Sequence, residues 1–312
     1  MQRYLFAAVL VLMLVVVVVA SFVVVPALLQ GAQTQAQATP TVTPTPTDTP
    51  TPTPTPIPSP TPTPQVARIV PTYLIDATTG RVLIHTSSNL RLPPASTAKI
   101  MTAVLAIERL DINTSVTVSQ SELDEVPPGG YSIAFLQPGD QLHVISLLYG
   151  LLLPSGCDAA IVLAHAVSGN TASFVALMNA RARQLGLSNT HFADPAGFVS
   201  PNNYSTPADL TKLARYAMSL STFAEIVRQP DHVVPATMHN HLYDNWKNLN
   251  QLIGIYPGAD GVKTGNSDQS GYCLVFSATR NGHHLIGTIM QDTADWLFQD
   301  AMTDLDEGFA MV

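Results

Sequence analysis

The chain has 312 residues, a formal net charge of −8 and only 12% charged side chains. No basic stretch occurs, which excludes a nucleic-acid footprint, because such a surface gathers Lys and Arg on one face. The nine histidines show no metal-ligand spacing: His283 and His284 are adjacent, and His239-x-His241 has no companions at zinc-like intervals, so no metal or other cofactor is expected.

Residues 5–29 form an almost unbroken apolar run, longer than the roughly 20 residues that span a bilayer. The run exceeds the ~7–15 residues of a secretory h-region, and Arg3 precedes it. Residues 1–31 therefore read as a single-pass signal-anchor in the cell membrane, with everything after it extracytoplasmic. Ala36-Gln37-Ala38 offers a cleavage site that would instead release a secreted protein. Residues 32–64 read as a disordered linker, because 39–64 is nearly pure Thr and Pro with a single charge at Asp48. Proline favours extended polyproline II, giving a semi-rigid stalk of about 80 Å at roughly 3.1 Å per residue.

The remaining segment, 65–312, is long enough for one large domain or two closely packed lobes. Residues 73–76 and 81–84 flank a Thr/Gly turn and predict a hairpin. Pro93 and Pro94 then precede Ser96-Thr97-Ala98-Lys99, and the apolar spacing after it predicts a helix over 96–110 with Ser96 on its first turn. Residues three apart share a face, so the Lys99 amine lies within reach of the Ser96 hydroxyl. Such a base must lose its proton well below the ordinary lysine value of ~10, which calls for burial and a neighbouring cation, and Lys263 is the natural candidate.

Helices over 144–153 and 158–167 are separated by a Pro/Gly break that holds Ser155-Gly156-Cys157. Further helices are expected over 171–185 and 208–220, the latter opened by a Thr206 cap, Pro207 and Asp209. Strands return at 262–265, 272–278 and 284–290, the first carrying Lys263-Thr264-Gly265. Glycine there would let a substrate backbone approach closely. Near the end, Asp292, Asp295, Asp300, Asp304, Asp306 and Glu307 predict a helix with a solvated acidic face, packed through Trp296, Leu297, Leu305 and Phe309. Strands first and last with helices between them define an α+β fold: an antiparallel sheet flanked by helices, with a helical subdomain.

Each short motif alone is weak, since a serine cap followed by a solvated lysine is commonplace. Together and in this order, S-x-x-K, a Ser155-Gly156-Cys157 triplet and K-T-G match a serine acyl-transfer signature. With the phrases around them at 96–105, 152–160, 187–197, 204–209 and 256–275, the chain resembles the low-molecular-mass penicillin-binding proteins of the D-alanyl-D-alanine carboxypeptidase family, across roughly residues 66–310. The resemblance implies the β-lactamase/DD-peptidase fold and a substrate class, peptidoglycan stem peptides ending in D-Ala-D-Ala, with β-lactams as inhibitors. It also implies roles: Ser96 as nucleophile, Lys99 as its base, and Ser155 as proton relay. Lys263 and Thr264 would hold the terminal carboxylate, beside Gly265, and the N–H groups of Ser96 and Asn266 would form the oxyanion hole.

Two departures bear on this reading. Cys157 stands where most of the family carries asparagine, and a thiol donates and accepts hydrogen bonds only weakly, so its part in substrate positioning is reduced. No Lys or Arg follows Arg280, whereas relatives commonly carry a late arginine for the substrate carboxylate. Transpeptidation by the same acyl-enzyme, and a non-catalytic wall-binding protein, remain the alternatives. A β-lactamase is disfavoured, because Glu225 is the only glutamate between Ser155 and Lys263. The narrow geometry of a disulfide argues for Cys157 and Cys273 as separate thiols.

Overall fold

Adjacent residues of a strand point to opposite faces, and this alternation organises the whole domain. In β1 (Thr72–Asp76), Leu74 faces one hydrophobic cluster and Ile75 the other. Leu274 and Val275 of β8 (Gly271–Arg280) divide in the same way, as do Leu285 and Ile286 of β9 (His283–Asp292). With β2 (Val82–Thr86) and β7 (Ala259–Ser267) these strands form a five-stranded antiparallel sheet in the order β2-β1-β9-β8-β7. The computed structural model describes residues 68–312. The expected membrane anchor (1–31) and all of the linker (32–64) lie outside these residues. Among the described residues no single helix is long and apolar enough to cross a membrane.

One face of the sheet is covered by the last helix, Leu297–Ala310, through Leu297, Ala301 and Leu305. The other face packs on α6 (Pro207–Met218), against which α1 (Lys99–Arg109) packs in turn, and the turn leading into α1 lies against β7 and β8. Behind them lies a helical layer of α3 (Val144–Leu152), α4 (Cys157–Ser168) and α5 (Thr171–Gln184). The sequence-based helices and sheet strands all form, within a few residues of the expected ends. Elements with little hydrophobic periodicity were not anticipated. These are the short helices α2 (Gln120–Leu123) and α7 (Ser221–Val227), the ribbon of β3 (Ser115–Thr117) with β4 (Gln141–His143), and the ribbon of β5 (Asp231–Val234) with β6 (Tyr243–Lys247).

The cap of α6 forms as its sequence predicts, with Thr206 Oγ1 accepting from Asp209 N at 3.1 Å. The Asp209 carboxylate turns away from its own helix end, however. It accepts from Asn189 N and Thr190 Oγ1, both at 2.8 Å, and so ties the helix to the preceding loop.

Helix α8 (Leu297–Ala310) corrects two expectations. Trp296 is not in the core: it is 48% exposed, with the Arg68 guanidinium 5.4 Å from its ring centroid. The acidic face is also only partly solvated. Asp292 is buried and paired with Arg68, and Asp304 accepts a 2.8 Å hydrogen bond from Thr72 Oγ1 against the sheet. Burial pushes the Asp304 carboxyl up to about 6, with neighbouring Glu307, Asp300 and Asp292 adding to the effect.

Candidate active site

Pro94 closes the chain into a 3-10 turn, Ala95–Ala98, and α1 begins only at Lys99. Ser96 therefore sits on a tighter turn than the expected first α-turn. Thr97 secures that turn by donating to Pro94 O through its amide (3.2 Å) and its hydroxyl (2.6 Å). Ala95 adopts φ +47°, a conformation costing on the order of 1–3 kcal/mol. Two glycines hold it there. A Cβ on Gly197 would lie 1.8 Å from Ala95 O, and one on Gly265 would lie 2.9 Å from Ser96 N. Gly265 thus makes room for the nucleophile's own backbone, in addition to the substrate approach expected of it.

Lys99 is completely buried. Its ammonium donates to Ser96 Oγ at 2.8 Å, Ala196 O at 2.8 Å and Cys157 Sγ at 3.3 Å, which occupies all three protons. Asp194 aims the Ala196 carbonyl. Its Oδ1 accepts from Ala196 N (2.8 Å), Gly197 N (2.6 Å) and Phe198 N (3.1 Å), and its Oδ2 from Asn203 Nδ2 (2.9 Å). Burial raises the pKa of this carboxyl, opposed by the three amides and by the charge of Lys99. Sequence reasoning passed over Asp194, although Asp-Pro-Ala-Gly is a typical setting for an aspartate that accepts from the amide two residues on.

Lys263 is buried as well, with Nζ donating to Thr264 O at 3.0 Å. Its pKa lies well below the ordinary lysine value, first because it is desolvated and second because Lys99 is close, with Cys157 partly compensating. The expectation was that Lys263 would act on Lys99. The coupling is seen at Lys263, where the nearby charge of Lys99 adds to desolvation.

Ser155 occupies the turn between α3 and α4 at φ +66°. Gly156 donates to Gly150 O at 2.9 Å, and a Cβ on it would stand 2.7 Å from that oxygen, so the turn admits only glycine. Cys157 N donates to Ser132 O at 2.9 Å. Next to it, buried Asp158 accepts from Ala134 N (2.7 Å) and Leu136 N (3.0 Å), while Trp246 Nε1 donates to Ala134 O (2.9 Å). Residues 132–136 are thereby fixed, and 129–132 line the same cleft as Ser96.

These parts enclose a cleft of about 430 Å³. Ser96, Ser155, Thr264, Gly265 and Asn266 line it, whereas Lys99, Cys157 and Lys263 lie beneath its surface. Cys157, expected at the substrate, is 2% exposed and touches Lys99 instead. Sequence reasoning missed Tyr131, Ser132, Val199, Leu249 and Asp268 on the walls, since loop residues without periodicity carry no local signal. Tyr131 is set edge-on to Phe198, with ring centroids 4.8 Å apart. No Lys or Arg lines the cleft among the described residues. Arg280 lies over Tyr256 and Phe309, at 4.9 and 4.6 Å from their centroids, and its guanidinium is 3.6 Å from Asp306. Cys157 and Cys273 are free thiols, and burial pushes Cys273 up to about 11.

An edge strand carrying Lys-Thr-Gly against a turn that leads Ser-x-x-Lys into a helix defines a penicillin-interacting serine peptidase. The chain belongs to the D-alanyl-D-alanine carboxypeptidase family, peptidase family S11, whose profile matches residues 64–294. It is 42% identical over 251 residues to a D-alanyl-D-alanine carboxypeptidase of Streptomyces sp. strain K15, covering 77% of this chain and 86% of that one. The carboxypeptidase DacB2 of Mycobacterium tuberculosis is 34% identical over 242 residues, covering 76% and 80%. The crystal structure of the Streptomyces K15 DD-transpeptidase superposes with a TM-score of 0.74 at 39% identity, over 79% of this chain and 98% of that one.

Proposed function

We propose that this protein is a serine D-Ala-D-Ala carboxypeptidase acting on cell-wall stem peptides. The observation that carries the reading is Lys99 Nζ at 2.8 Å from Ser96 Oγ at the bottom of the cleft. With the amine neutral, the same contact takes the Ser96 proton as Oγ attacks the penultimate D-alanine carbonyl. The developing oxyanion is met by the amides of Ser96 and Asn266, donors of a kind worth about 10²–10³ in rate. Ser155 passes a proton to the departing D-alanine, and Lys263 with Thr264 holds its carboxylate. Water then hydrolyses the ester on Ser96 and regenerates the hydroxyl. A β-lactam presents its amide to the same oxygen and acylates it. The apolar run at 5–29 and the Thr/Pro stretch support a further proposal, that the domain is tethered outside the cell membrane.

A second reading, transfer of the acyl group to an amine, is favoured by two observations. Cys157 meets Lys99 where most relatives have asparagine, and the solved K15 homologue carries the name DD-transpeptidase.

The test is mass spectrometry of the protein incubated with a peptide ending in D-Ala-D-Ala, with and without an amine acceptor, alongside Ser96→Ala. Loss of one alanine in wild type alone supports the carboxypeptidase. An acceptor adduct that outweighs hydrolysis selects the transpeptidase. No product and no penicillin adduct on Ser96 refutes both.

A further inference from the structure

The cleft is electrically uneven. Lys99 and Lys263 lie under its floor, while among the described residues Asp268 is the one charged side chain on its walls. Asp268 stands just past the end of β7, in the turn to β8, and is exposed. Among the described residues its carboxylate accepts no hydrogen bond and forms no ion pair. The turn is held by its neighbours: Ser270 N donates to Ser267 Oγ at 3.0 Å, Ser267 Oγ to Ser270 Oγ at 2.9 Å, and Ser270 Oγ to Gly271 O at 2.8 Å. The aspartate thus has no structural task in a loop that is already fixed, and it faces the space where substrate lies.

We propose that Asp268 binds a primary ammonium group of the stem peptides, which makes it a specificity-determining residue of the cleft. The proposal rests on the DD-peptidase reading above. Dimensions support it. From Lys263 to Ser267 the strand advances four residues, about 13 Å. A peptide whose terminal carboxylate is held at Lys263 advances about 7 Å over the two residues to the position before D-Ala-D-Ala. A four-carbon side chain with a terminal amine there adds about 6 Å at standard bond lengths. Together these give a reach of up to about 13 Å, so a diamino-acid side chain extended along the strand brings its positive charge to Asp268 when the negative charge is at Lys263. An acceptor amine approaching the acyl-enzyme from the same rim has the same chemistry, so the test separates the two sources.

The full-length protein is given two donor peptides ending in D-Ala-D-Ala that differ only in a free or an acetylated side-chain amine at the preceding residue. With the acetylated donor, the partition between hydrolysis and transfer to an added amine is then measured. Each arm is repeated with Asp268→Asn and Asp268→Lys. A ratio of kcat/KM between two peptides is independent of how much of a variant is folded. Wild type prefers the free amine by about two- to fivefold at low salt, the range of an exposed ion pair. The preference disappears in Asp268→Asn and inverts in Asp268→Lys. If the donor ratio is one in all three proteins but transfer falls in the variants, the ammonium is the acceptor's. If neither arm responds to the substitutions, the assignment of Asp268 is overturned while the DD-peptidase reading stands. If wild type consumes no peptide and takes no penicillin, that reading fails and this one with it.

Discussion

Gly265→Ala probes the packing of the Lys-Thr-Gly strand against the nucleophile's turn. The new methyl would lie 2.9 Å from Ser96 N, 3.1 Å from Thr97 N and 3.2 Å from Ala95 Cβ. None of these atoms is the far end of a flexible side chain. Carbon contacts become favourable only near ~3.5 Å, so strand and turn must part by roughly half an ångström. A 1 Å misplacement of reacting groups costs up to about 10² in rate, so half that displacement corresponds to about tenfold slower acylation. Overpacking also costs on the order of 1–3 kcal/mol of stability. The assay is the acylation rate with a fluorescent penicillin, together with a thermal melt of the unliganded protein. If Gly265 served only to admit the peptide backbone, the melt would be unchanged and a small β-lactam would still react. Acylation within twofold of wild type at the same Tm therefore refutes the packing argument.

Asp304→Asn separates burial from charge in α8. The folded state raises this carboxyl from 3.8 to about 6, so it holds the proton more tightly than the unfolded chain does. Its contribution is present at acid pH and is lost as pH rises from about 4 to 6. Asparagine cannot ionise, so the variant should match wild type near pH 4. Above pH 6 it should exceed wild type by on the order of 1–2 kcal/mol, after discounting for residual solvent screening. Thermal melts across pH 4–8 check this, and a pH-independent difference would contradict it. The lysine pair gives a kinetic counterpart. Because burial and Lys99 depress Lys263, its charge, and with it the hold on the penicillin carboxylate, should be lost on the alkaline side before an exposed lysine titrates near ~10.4, so acylation should fall in that range. A rate undiminished up to that pH would exclude a charged, depressed Lys263 as the carboxylate holder.

The legible parts of this protein are those whose chemistry is local. Ser96 and Lys99 meet because residues three apart on a helical turn share a face, and Thr206, Pro207 and Asp209 together form a helix start whose cap is local. The sheet was readable from the apolar runs at 272–278 and 284–290, which fit strands buried on both faces. The ribbons at 231–234 and 243–247 were not, because their stability comes from distant partners: Tyr149 stacks on His232 with centroids 3.6 Å apart, and Tyr243 bonds to Asp140. Asp158 looked like a helix opener, yet its acceptors serve amides 22 and 24 residues upstream. Trp296 and Asp304 were misjudged for a related reason. Periodicity assigns a face, but Arg68 and Thr72, more than 220 residues earlier in the chain, decide what covers that face.

Strand β1 lies inside the sheet, hydrogen-bonded to β2 on one side and to β9 on the other. Roughly 200 residues separate these two partners of β1 in the sequence. At about 5–20 residues per second, a ribosome takes on the order of 10–40 s to deliver the second after the first. During that interval the opening hairpin has one edge unmated and the nucleophile's turn lacks the glycine strand that braces it. Reactivity toward penicillin should therefore be all-or-none during biosynthesis: nascent chains stay inert until their last hairpin is made, and the drug counts finished molecules only.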